Sequence, residues 1–520
     1  MFCGILRIAF LSSYFLWSAF ARNTHDGTND TRDPICNAKV FSDVALPGIR
    51  VLEVQANDVR NFNISTFQNG DIPSAEYVDL EFCNVTVIYV RGSQHSPVRV
   101  TVWLPKRSRW NGRFQGTGGG GYMAGFGPLA LAPAVARGYA ASSTDGGNDD
   151  RDPSEWALNE DGNVNLDLLE DFAHLSLNDL ARIGKAVIWK YFNRHPVYSY
   201  WSGCSTGGRQ GMMLAQRYPD AFDGILALAP AINWPSFQVA AYWPQQVMNQ
   251  LNYYPAPCEL EYITNSAITA CDGMDGLADG VLSSPNRCDF DATTLIGQLN
   301  GCSGGQTQVT SQAAQIAMAA WSGPTSTGGH RLWPGLNRDA ALAGLPGLTT
   351  AETNCSSGTS QCEGVPFSVA EKWIRLFVEK DTDFDIKGMS QADYELSFEK
   401  SLSQYDDIIG TSSPELSAFR NSGGKILSWH GLADQLIPPN GTAGYYDRVF
   451  RQDRKVHDFY RLFFAPGTRH CQAGAGPYPY DSLDALVDWV EHGKAPDVLV
   501  ATKRPGDDAV TRLLYPYLLK

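Results

Sequence analysis

The chain has 520 residues, of which 43% are hydrophobic and 18% charged, a balance that favours a folded globular protein over long disorder. Its formal net charge is −14, so it lacks the positive charge that tracks a phosphate backbone, and we expect no nucleic-acid partner. The length exceeds one ordinary domain and indicates either several domains or one large domain with an insertion.

The N-terminus has the features of a secretory signal peptide. Arg7 precedes a largely apolar run over residues 8–20, and Ala19 and Ala21 form a small-x-small cleavage signal before a polar segment. The alternative is a membrane anchor, which is weaker because the run is shorter than the ~18 residues that a spanning helix needs. We therefore predict a signal peptide over residues 1–21, a secreted protein and no membrane partner.

Cysteines and sequons agree with secretion. The chain has 11 cysteines, and removal of Cys3 with the signal peptide leaves an even number, which implies disulfides. No C-x-x-C pair is present, so these cysteines do not form a zinc-binding pattern. Five sequons follow the signal peptide and predict a glycoprotein; they lie at Asn29, Asn63, Asn84, Asn354 and Asn440.

From about residue 85, strand-like and helix-like segments alternate. Strands are predicted over residues 85–90, 98–105, 137–147, 197–203 and 224–231. Helices are predicted over residues 179–192 and 209–222, and a glycine-rich turn over residues 114–123. This alternation indicates an α/β fold in which a mostly parallel sheet is covered on both faces.

The alternation stops between residues 231 and 421, where the sequence is rich in Gly, Ser, Thr, Asn and Cys and is expected to be irregular. Strand and helix signals return at residues 423–431, 458–467 and 482–493. We interpret residues 22–230 and 422–520 as two parts of one α/β core, and residues 231–421 as an inserted lid. The site is expected at the carboxyl edge of the sheet.

The stretch Gly203–Gly207 matches the G-x-S-x-G nucleophile elbow. A strand-like segment precedes it and a helical segment follows, so Ser205 would sit on the sharp strand-to-helix turn that projects its hydroxyl. The alternative is an ordinary strand–helix turn.

A serine nucleophile needs a base, and the base needs an acid. In the α/β-hydrolase arrangement their order along the chain is Ser, then Asp or Glu, then His. His470 lies in a loop after an apolar strand, where a catalytic histidine belongs, whereas His430 ends a strand and is expected to be structural. Asp434 is the preferred acid, with Asp447 and Asp458 as alternatives.

An oxyanion hole needs backbone N–H groups aimed at the developing charge. One is expected from Thr206, the residue after the nucleophile. The other is expected from the glycine-rich loop after an early strand, at Gly119 or Gly120. A phosphate-binding loop is the competing interpretation, but the Lys-Ser/Thr of that motif is missing.

Cys204 precedes Ser205, and Cys471 follows His470. If the serine and the histidine meet in one site, the two cysteines are brought close together. A disulfide between Cys204 and Cys471 would then tie the turn of the nucleophile to the loop of the base.

With these residues the chain resembles the tannase and feruloyl esterase family of secreted serine esterases, and most closely its feruloyl esterase B branch. The resemblance rests on Cys204-Ser205, Asp434 and His470-Cys471, and on the stretches GTGGGGY, WHGLADQLIPP and FYRLFFAPGTRHC. It implies an α/β-hydrolase fold with a large lid inserted before the strand that carries the acid.

The resemblance also implies a structural calcium ion in the lid. Residues 271–281 read CDGMDGLADGV, where three carboxylates stand in a glycine-spaced loop, as hard cations require. The expected ligands are Asp272, Asp275 and Asp279, with backbone carbonyls from Leu277 and Val281. The alternative is an acidic turn that binds no metal.

The resemblance further pairs Cys271 with Cys288. Three more pairs are then plausible: Cys258–Cys302, Cys355–Cys362 and Cys36–Cys83. The tail departs from the family pattern, because Tyr515 stands where a further cysteine is usual.

The resemblance implies hydrolysis of phenolic carboxylic esters, feruloyl-type esters first, with either a small-molecule or a polysaccharide-linked substrate. The alternatives are a tannase acting on galloyl esters, an esterase of an aromatic secondary metabolite, a serine peptidase and a lapsed hydrolase that only binds a ligand. Lid aromatic residues suit a flat acyl group or, equally, pack the lid core; they are Trp234, Tyr242, Trp243, Tyr253 and Tyr254.

Overall fold

The structure is a computed structural model that describes residues 35–92, 96–149, 152–302, 308–355, 362–503 and 511–518. The predicted signal peptide and the sequon at Asn29 lie outside these residues. In the described part of the chain, every helix is too short or too polar to cross a membrane.

Thirteen strands are present in the described residues. Their bounds are β1 Ile49–Ser65, β2 Glu76–Arg91, β3 Val98–Pro105, β4 Arg113–Thr117, β5 Ala140–Thr144, β6 Tyr198–Cys204, β7 Gly224–Leu228, β8 Thr353–Cys355, β9 Cys362–Gly364, β10 Lys425–Gly431, β11 Tyr460–Ala465, β12 Leu499–Thr502 and β13 Thr511–Leu514.

Nine of these strands form one mixed sheet in the order β1-β2-β3-β5-β4-β6-β7-β10-β11. The four strands β1, β2, β3 and β5 pair antiparallel, and the strands from β5 to β11 pair parallel. All five residues of β7 are buried, as expected for a central parallel strand covered on both faces. The predicted α/β-hydrolase fold is therefore confirmed.

The described residues form fourteen α-helices. Their bounds are α1 Ala38–Phe41, α2 Pro128–Ala136, α3 Leu166–Glu170, α4 Ser176–Phe192, α5 Thr206–Arg217, α6 Trp234–Ala241, α7 Trp243–Leu251, α8 Pro257–Cys271, α9 Ser311–Ser322, α10 Ser368–Lys372, α11 Gln391–Tyr405, α12 Ser417–Asn421, α13 Pro439–Gln452 and α14 Ser482–His492. Three π-helical segments continue α3, α10 and α11, over Asp171–Leu175, Trp373–Val378 and Asp406–Gly410.

Helices cover both faces of the sheet. On one face, α4, α5 and α13 bury a cluster that includes Leu180, Met212 and Val449. On the other face, α2 and α14 bury a second cluster that includes Leu131 and Leu486. The sheet is thus enclosed between two apolar layers, and its carboxyl edge is left for a site.

The segment between β7 and β10 leaves the sheet and returns to a directly adjacent strand, since β7 pairs with β10. We expected this lid to be irregular, and that expectation is wrong in its local structure, because α6 to α12 all lie within it. Most residues of α6 are buried, so its sequence shows no polar face by which a helix is recognised.

Five disulfides are present in the described residues, in the same pairs that were expected from the sequence. Cys36–Cys83 fastens the segment before α1 to β2, and Cys204–Cys471 lies in the core. The remaining three lie within the lid: Cys258–Cys302, Cys271–Cys288 and Cys355–Cys362.

Candidate active site

Ser205 occupies the turn between β6 and α5 in a strained backbone conformation. Its φ is 62° and its ψ is −122°, a combination that side chains other than glycine rarely adopt. A Cβ added at Gly203 would lie 2.6 Å from the carbonyl carbon of Gly207, so the turn has no space for a side chain there. These contacts explain the glycine of the G-x-S-x-G motif before the serine.

Backbone hydrogen bonds hold this turn in place. The N–H of Ser205 donates to the carbonyl of Leu228 at 3.0 Å, and its own carbonyl accepts from Ala231 at 3.1 Å and from Arg209 at 3.0 Å. Because the end of β7 and the first turn of α5 both bind Ser205, the strained conformation is fixed by its surroundings.

His470 and Asp434 form a direct pair. Nδ1 of His470 lies 2.7 Å from Oδ2 of Asp434, whose side chain is fully buried. The other carboxylate oxygen of Asp434 accepts hydrogen bonds from the backbone N–H groups of Leu436 and Ile437 at 2.9 and 2.8 Å. Of the three candidate acids, Asp434 is the one that contacts His470.

The pKa of Asp434 is lowered well below its ordinary value. Burial by itself would raise this pKa, but the neighbouring imidazoles of His470 and His430 outweigh the burial. The carboxylate form of Asp434 is therefore favoured, and it can orient His470 and stabilise its protonated form.

His430 contacts the same carboxylate oxygen as His470 and is completely buried. Its Nε2 lies 3.0 Å from Oδ2 of Asp434 and 3.1 Å from the carbonyl oxygen of Ile437, and its Nδ1 lies 2.9 Å from Oγ1 of Thr442. His430 thus positions the acid, which is the structural role that the sequence analysis expected for it.

The loop that carries His470 is tied to the nucleophile turn. The Cys204–Cys471 disulfide joins the two with a Cα–Cα distance of 6.0 Å. Gly70 adds a second tie, because its N–H donates to the carbonyl of Cys471 at 2.8 Å while its own carbonyl accepts from the hydroxyl of Tyr478. Gly70 and Tyr478 belong to no recognisable motif, so the sequence carries no signal of this role.

The oxyanion prediction needs one correction. The N–H of Gly119 donates to Oε1 of Gln210 at 3.1 Å, so it is not available to a substrate. The N–H groups of Gly120 and Thr206 donate to no described residue, and Oγ1 of Thr206 donates to the carbonyl of Gly121 at 2.8 Å, which brings the two segments together. Gly120 and Thr206 are therefore the pair that can serve as oxyanion donors.

Gln210 supports the glycine-rich loop through two hydrogen bonds. Besides accepting from Gly119, it donates through Nε2 to the carbonyl of Ala124 at 2.9 Å, and its side chain is fully buried. Its position directly after GCSTGGR gave no signal of this role, because the contact spans 91 residues of sequence.

Arg209 is a buried cation next to the nucleophile turn. Its guanidinium donates to the carbonyls of Ala173 and Phe172 at 2.9 and 3.2 Å and lies against the rings of Phe172 and Trp234. Burial lowers the pKa of Arg209 to about 9, so it stays charged at neutral pH. It makes no salt bridge with any described residue.

The lid aromatic residues pack the lid core. Trp234, Tyr242 and Trp243 belong to one buried cluster, and Tyr253 and Tyr254 pack against another. The sequence left open whether these residues bind a flat acyl group or pack the core, and in the structure they pack the core.

The candidate metal loop follows α8, and the Cys271–Cys288 disulfide closes it. Oδ1 of Asp272 accepts hydrogen bonds from the backbone N–H groups of Asp279, Gly280 and Val281. These bonds draw the loop around a carboxylate, as in an acidic turn.

The other two carboxylates also have partners. Asp275 accepts from the N–H groups of Leu277 and Ser283, and Asp279 accepts from the guanidinium of Arg512 at 2.8 Å. The donor set has the oxygen chemistry that calcium prefers. In this conformation, however, no three acidic, histidine or cysteine side chains of the described residues converge closely enough to hold a metal ion.

Comparison with known proteins gives a consistent result over most of the chain. The family model "Tannase and feruloyl esterase" matches residues 83–518. A probable feruloyl esterase of Arthroderma benhamiae is 41% identical over 90% of this chain and 86% of its own length. The tannase of Aspergillus oryzae is 30% identical over 82% of this chain and 80% of its own length.

A solved structure agrees. The tannin acyl hydrolase of Aspergillus niger superposes with a TM-score of 0.83 and is 29% identical, covering 93% of this chain and 92% of its own. Sequence and fold therefore indicate the same relatives.

Proposed function

Because the chain belongs to the tannase and feruloyl esterase family and is a carboxylic ester hydrolase acting on phenolic esters, we propose that it is a secreted serine esterase of feruloyl-type esters. One observation carries the proposal: the buried carboxylate of Asp434 contacts His470, on a loop that a disulfide ties to the strained turn of Ser205. The acyl group would come from a small or a polysaccharide-linked hydroxycinnamate.

In the proposed reaction, His470 takes the proton from the hydroxyl of Ser205, which attacks the ester carbonyl carbon. The N–H groups of Thr206 and Gly120 stabilise the negative charge that forms on the carbonyl oxygen. His470 then gives the proton to the leaving alcohol, and an acyl-enzyme on Ser205 remains. Water, deprotonated by His470, releases the phenolic acid and restores the serine. Asp434 stays ionised throughout.

The test is a substrate panel with the purified protein: methyl ferulate, methyl caffeate, methyl gallate and a peptide amide, with Ser205→Ala as the control. We expect turnover of the hydroxycinnamate esters, none of the amide, and a loss of at least about a thousandfold in Ser205→Ala. Failure to hydrolyse any of the esters would overturn the proposal.

Tannase is the second candidate, and the TM-score of 0.83 with a tannin acyl hydrolase favours it specifically. The 41% identity with a probable feruloyl esterase, against 30% with a tannase, supports the feruloyl assignment first. Turnover of methyl gallate alone in the same panel would reverse this order.

Secretion is supported by the five disulfides, which persist in an oxidising compartment. Glycosylation is proposed with it, at the exposed sequons Asn63 and Asn354 before the half-buried Asn84 and Asn440. Digestion of the secreted protein with an endoglycosidase should lower its mass.

We propose a structural calcium ion in the loop over residues 271–281 on the chemistry of its donors. Asp272, Asp275 and Asp279 would hold it, with the carbonyls of Leu277 and Val281, and it would supply rigidity and no reaction step. Chelation should lower the melting temperature of wild type and leave Asp275→Asn unaffected. Protein that is purified without calcium and is insensitive to the chelator would exclude the ion.

A further inference from the structure

A pocket of about 200 Å³ opens behind the catalytic residues, on the side of the sheet covered by α2 and α14. Ser205, Thr206 and His470 lie outside its walls. Its floor is formed by the carboxyl ends of two central strands, β4 and β6; these residues are Gln115, Thr117, Ser202, Gly203 and Cys204. Nothing in the proposed ester hydrolysis uses this pocket.

The floor carries a buried polar atom that lacks a partner. Gln115 is only 4% exposed, yet its Oε1 makes no hydrogen bond with any described residue, and nearby the hydroxyl of Ser202 interacts with the carboxyl group of Asp71. A buried polar group left unpaired costs about 1–3 kcal/mol, so Oε1 of Gln115 in this pocket indicates a ligand that donates a hydrogen bond to it. Asp71 adds a carboxyl group to the same walls.

The sides of the pocket are apolar and partly aromatic. Tyr77, Phe126 and Tyr480 line it, together with Ile72 and Leu483. Such walls suit the faces of a ring, and the volume is smaller than that of pockets for drug-sized ligands, so a single ring fits its size.

Charge at the pocket selects against anions. Asp71 and Asp481 both line it, and the single cation among its lining residues, Arg137, is paired with Asp484. A carboxylate ligand would therefore find no free cation among the lining residues and would lie beside two acidic side chains, whereas hydroxyl groups can donate to Asp71 and Gln115.

We propose that this pocket binds a neutral six-membered or five-membered ring bearing adjacent hydroxyl groups. Two sources share that chemistry: a phenol with neighbouring hydroxyls and a monosaccharide unit.

The position of the pocket couples it to the catalytic residues. Phe126 packs directly against Gly120, since a Cβ added at that glycine would lie 2.6 Å from the phenylalanine ring. Gly70 and Cys204, which brace the His470 loop, form another part of the wall. A bound ring thus touches both the oxyanion loop and the disulfide.

The test is isothermal titration of the full-length Ser205→Ala protein, which cannot turn over an ester, with pyrogallol in one arm and methyl arabinofuranoside in the other. We expect saturable one-to-one binding in at least one arm, and the responding arm identifies the source. Ser202→Ala and Asp71→Asn, each added to Ser205→Ala, should weaken this binding at least fivefold.

Ser142→Ala is the matched control. Ser142 is a fully buried serine on the neighbouring strand β5, its hydroxyl lacks a described partner, and it lies outside the pocket. It should leave the affinity unchanged. No saturable binding in either arm, or binding that Ser202→Ala and Asp71→Asn do not weaken, would overturn the proposal. Because turnover is not measured, neither result depends on whether the protein hydrolyses feruloyl esters.

Discussion

The sequence indicated the turn of Ser205 and the contact between Asp434 and His470 because each residue belongs to a local pattern, and the α/β-hydrolase fold sets the order of those patterns along the chain. The oxyanion donor could not be chosen in the same way. Four consecutive glycines offer four N–H groups, and the structure assigns that of Gly119 to Gln210, a residue on another element. Local sequence indicates which loop approaches the substrate, but a distant side chain decides which amide is free.

Gln210 provides a prediction at the residue scale. Gln210→Leu removes the acceptor for Gly119 and the donor to Ala124, so the glycine loop loses its support. We expect kcat for methyl ferulate to fall about tenfold to a hundredfold with a smaller change in KM, because the displaced amide acts on the transition state.

Gln216→Leu is the matched control for this change. Gln216 lies on the same helix and hydrogen-bonds to Tyr445 and Thr411, away from the glycine loop. It should lower the melting temperature without lowering kcat. Equal losses of kcat in the two variants would contradict a role for Gln210 in positioning the loop.

Because His174 is buried, we predict that the stability of the protein depends on pH. Burial, with help from the cations Arg217, Arg209 and Arg91, lowers the pKa of His174 to about 3. Between pH 6.5 and about 3, the unfolded chain binds a proton at this histidine that the folded chain does not, so the free energy of unfolding falls as the pH falls. The contribution is absent above about pH 6.5, where His174 is neutral in both states.

Asp171 lies in the same π-helical segment, and its effect on the pH dependence of stability is opposite to that of His174. Burial raises its pKa to about 7, so the folded chain holds a proton that the unfolded chain releases, and stability falls as the pH rises from about 4 to 7. His174→Gln removes one of these opposing effects. Relative to wild type, the free energy of unfolding of this variant, measured with urea, should rise by about 1–3 kcal/mol when the pH is lowered from 7.5 to 4.5. A constant difference between the two proteins would refute this assignment.

At the scale of elements, the strands and helices of the core followed from local periodicity, whereas the helices of the lid did not. The lid helix α6 is buried almost all round and begins with Trp-Pro, and α7 also begins with Trp-Pro. A helix without a polar face lacks the 3.6-residue pattern from which sequence reasoning identifies helices. This accounts for α6, whereas α11 begins with a capping box, Ser390 with Asp393, a local helix signal that the prediction of an irregular lid overlooked.

The disulfide between β6 and the His470 loop gives the prediction at this scale. It links residues 267 apart in sequence and joins the two segments that carry the nucleophile and the base. Changing Cys204 and Cys471 together to alanine should lower the free energy of unfolding by about 2–5 kcal/mol, and should lower kcat because the spacing of Ser205 and His470 loosens.

Cys355 and Cys362 provide the control pair. Their disulfide joins the paired strands β8 and β9 within the lid. Replacing both by alanine should leave kcat within about twofold of wild type. The variant that lacks Cys204 and Cys471 is then assayed below its melting temperature. If it also keeps wild-type kcat, the Cys204–Cys471 disulfide has no catalytic role.

At the scale of the whole molecule, the lid and the α/β core share one hydrophobic cluster. Tyr122, which follows the glycine loop of the core, has its ring centroid 5.9 Å from that of Trp234 and 6.0 Å from that of Phe377, both in the lid. Its hydroxyl also donates to the carbonyl of Val369 at 3.1 Å. The insertion is thus packed into the core and is not a flap hinged upon it.

Swinging this lid away would expose several of these rings to water. Each large aromatic side chain buries about 150–250 Å², and at about 25 cal/mol per Å² its exposure costs about 4–6 kcal/mol. Exposing Tyr122 and Trp234 together would make the open form rarer than about one molecule in a hundred thousand, since about 1.4 kcal/mol corresponds to a factor of ten. Substrate must therefore enter without an opening of the whole lid.

This packing predicts that the enzyme shows no interfacial activation. The rate should rise smoothly with ester concentration and saturate, without a step where the ester passes its solubility limit or its micelle concentration. Initial rates on a water-soluble phenolic ester and on a long-chain alkyl ferulate, each followed across that limit, measure this directly. A lipase with a mobile lid, assayed beside it, should show the step. A step in this protein would mean that Tyr122 and Trp234 separate during turnover, and fluorescence of the lid tryptophans in Tyr122→Ala would then locate the motion.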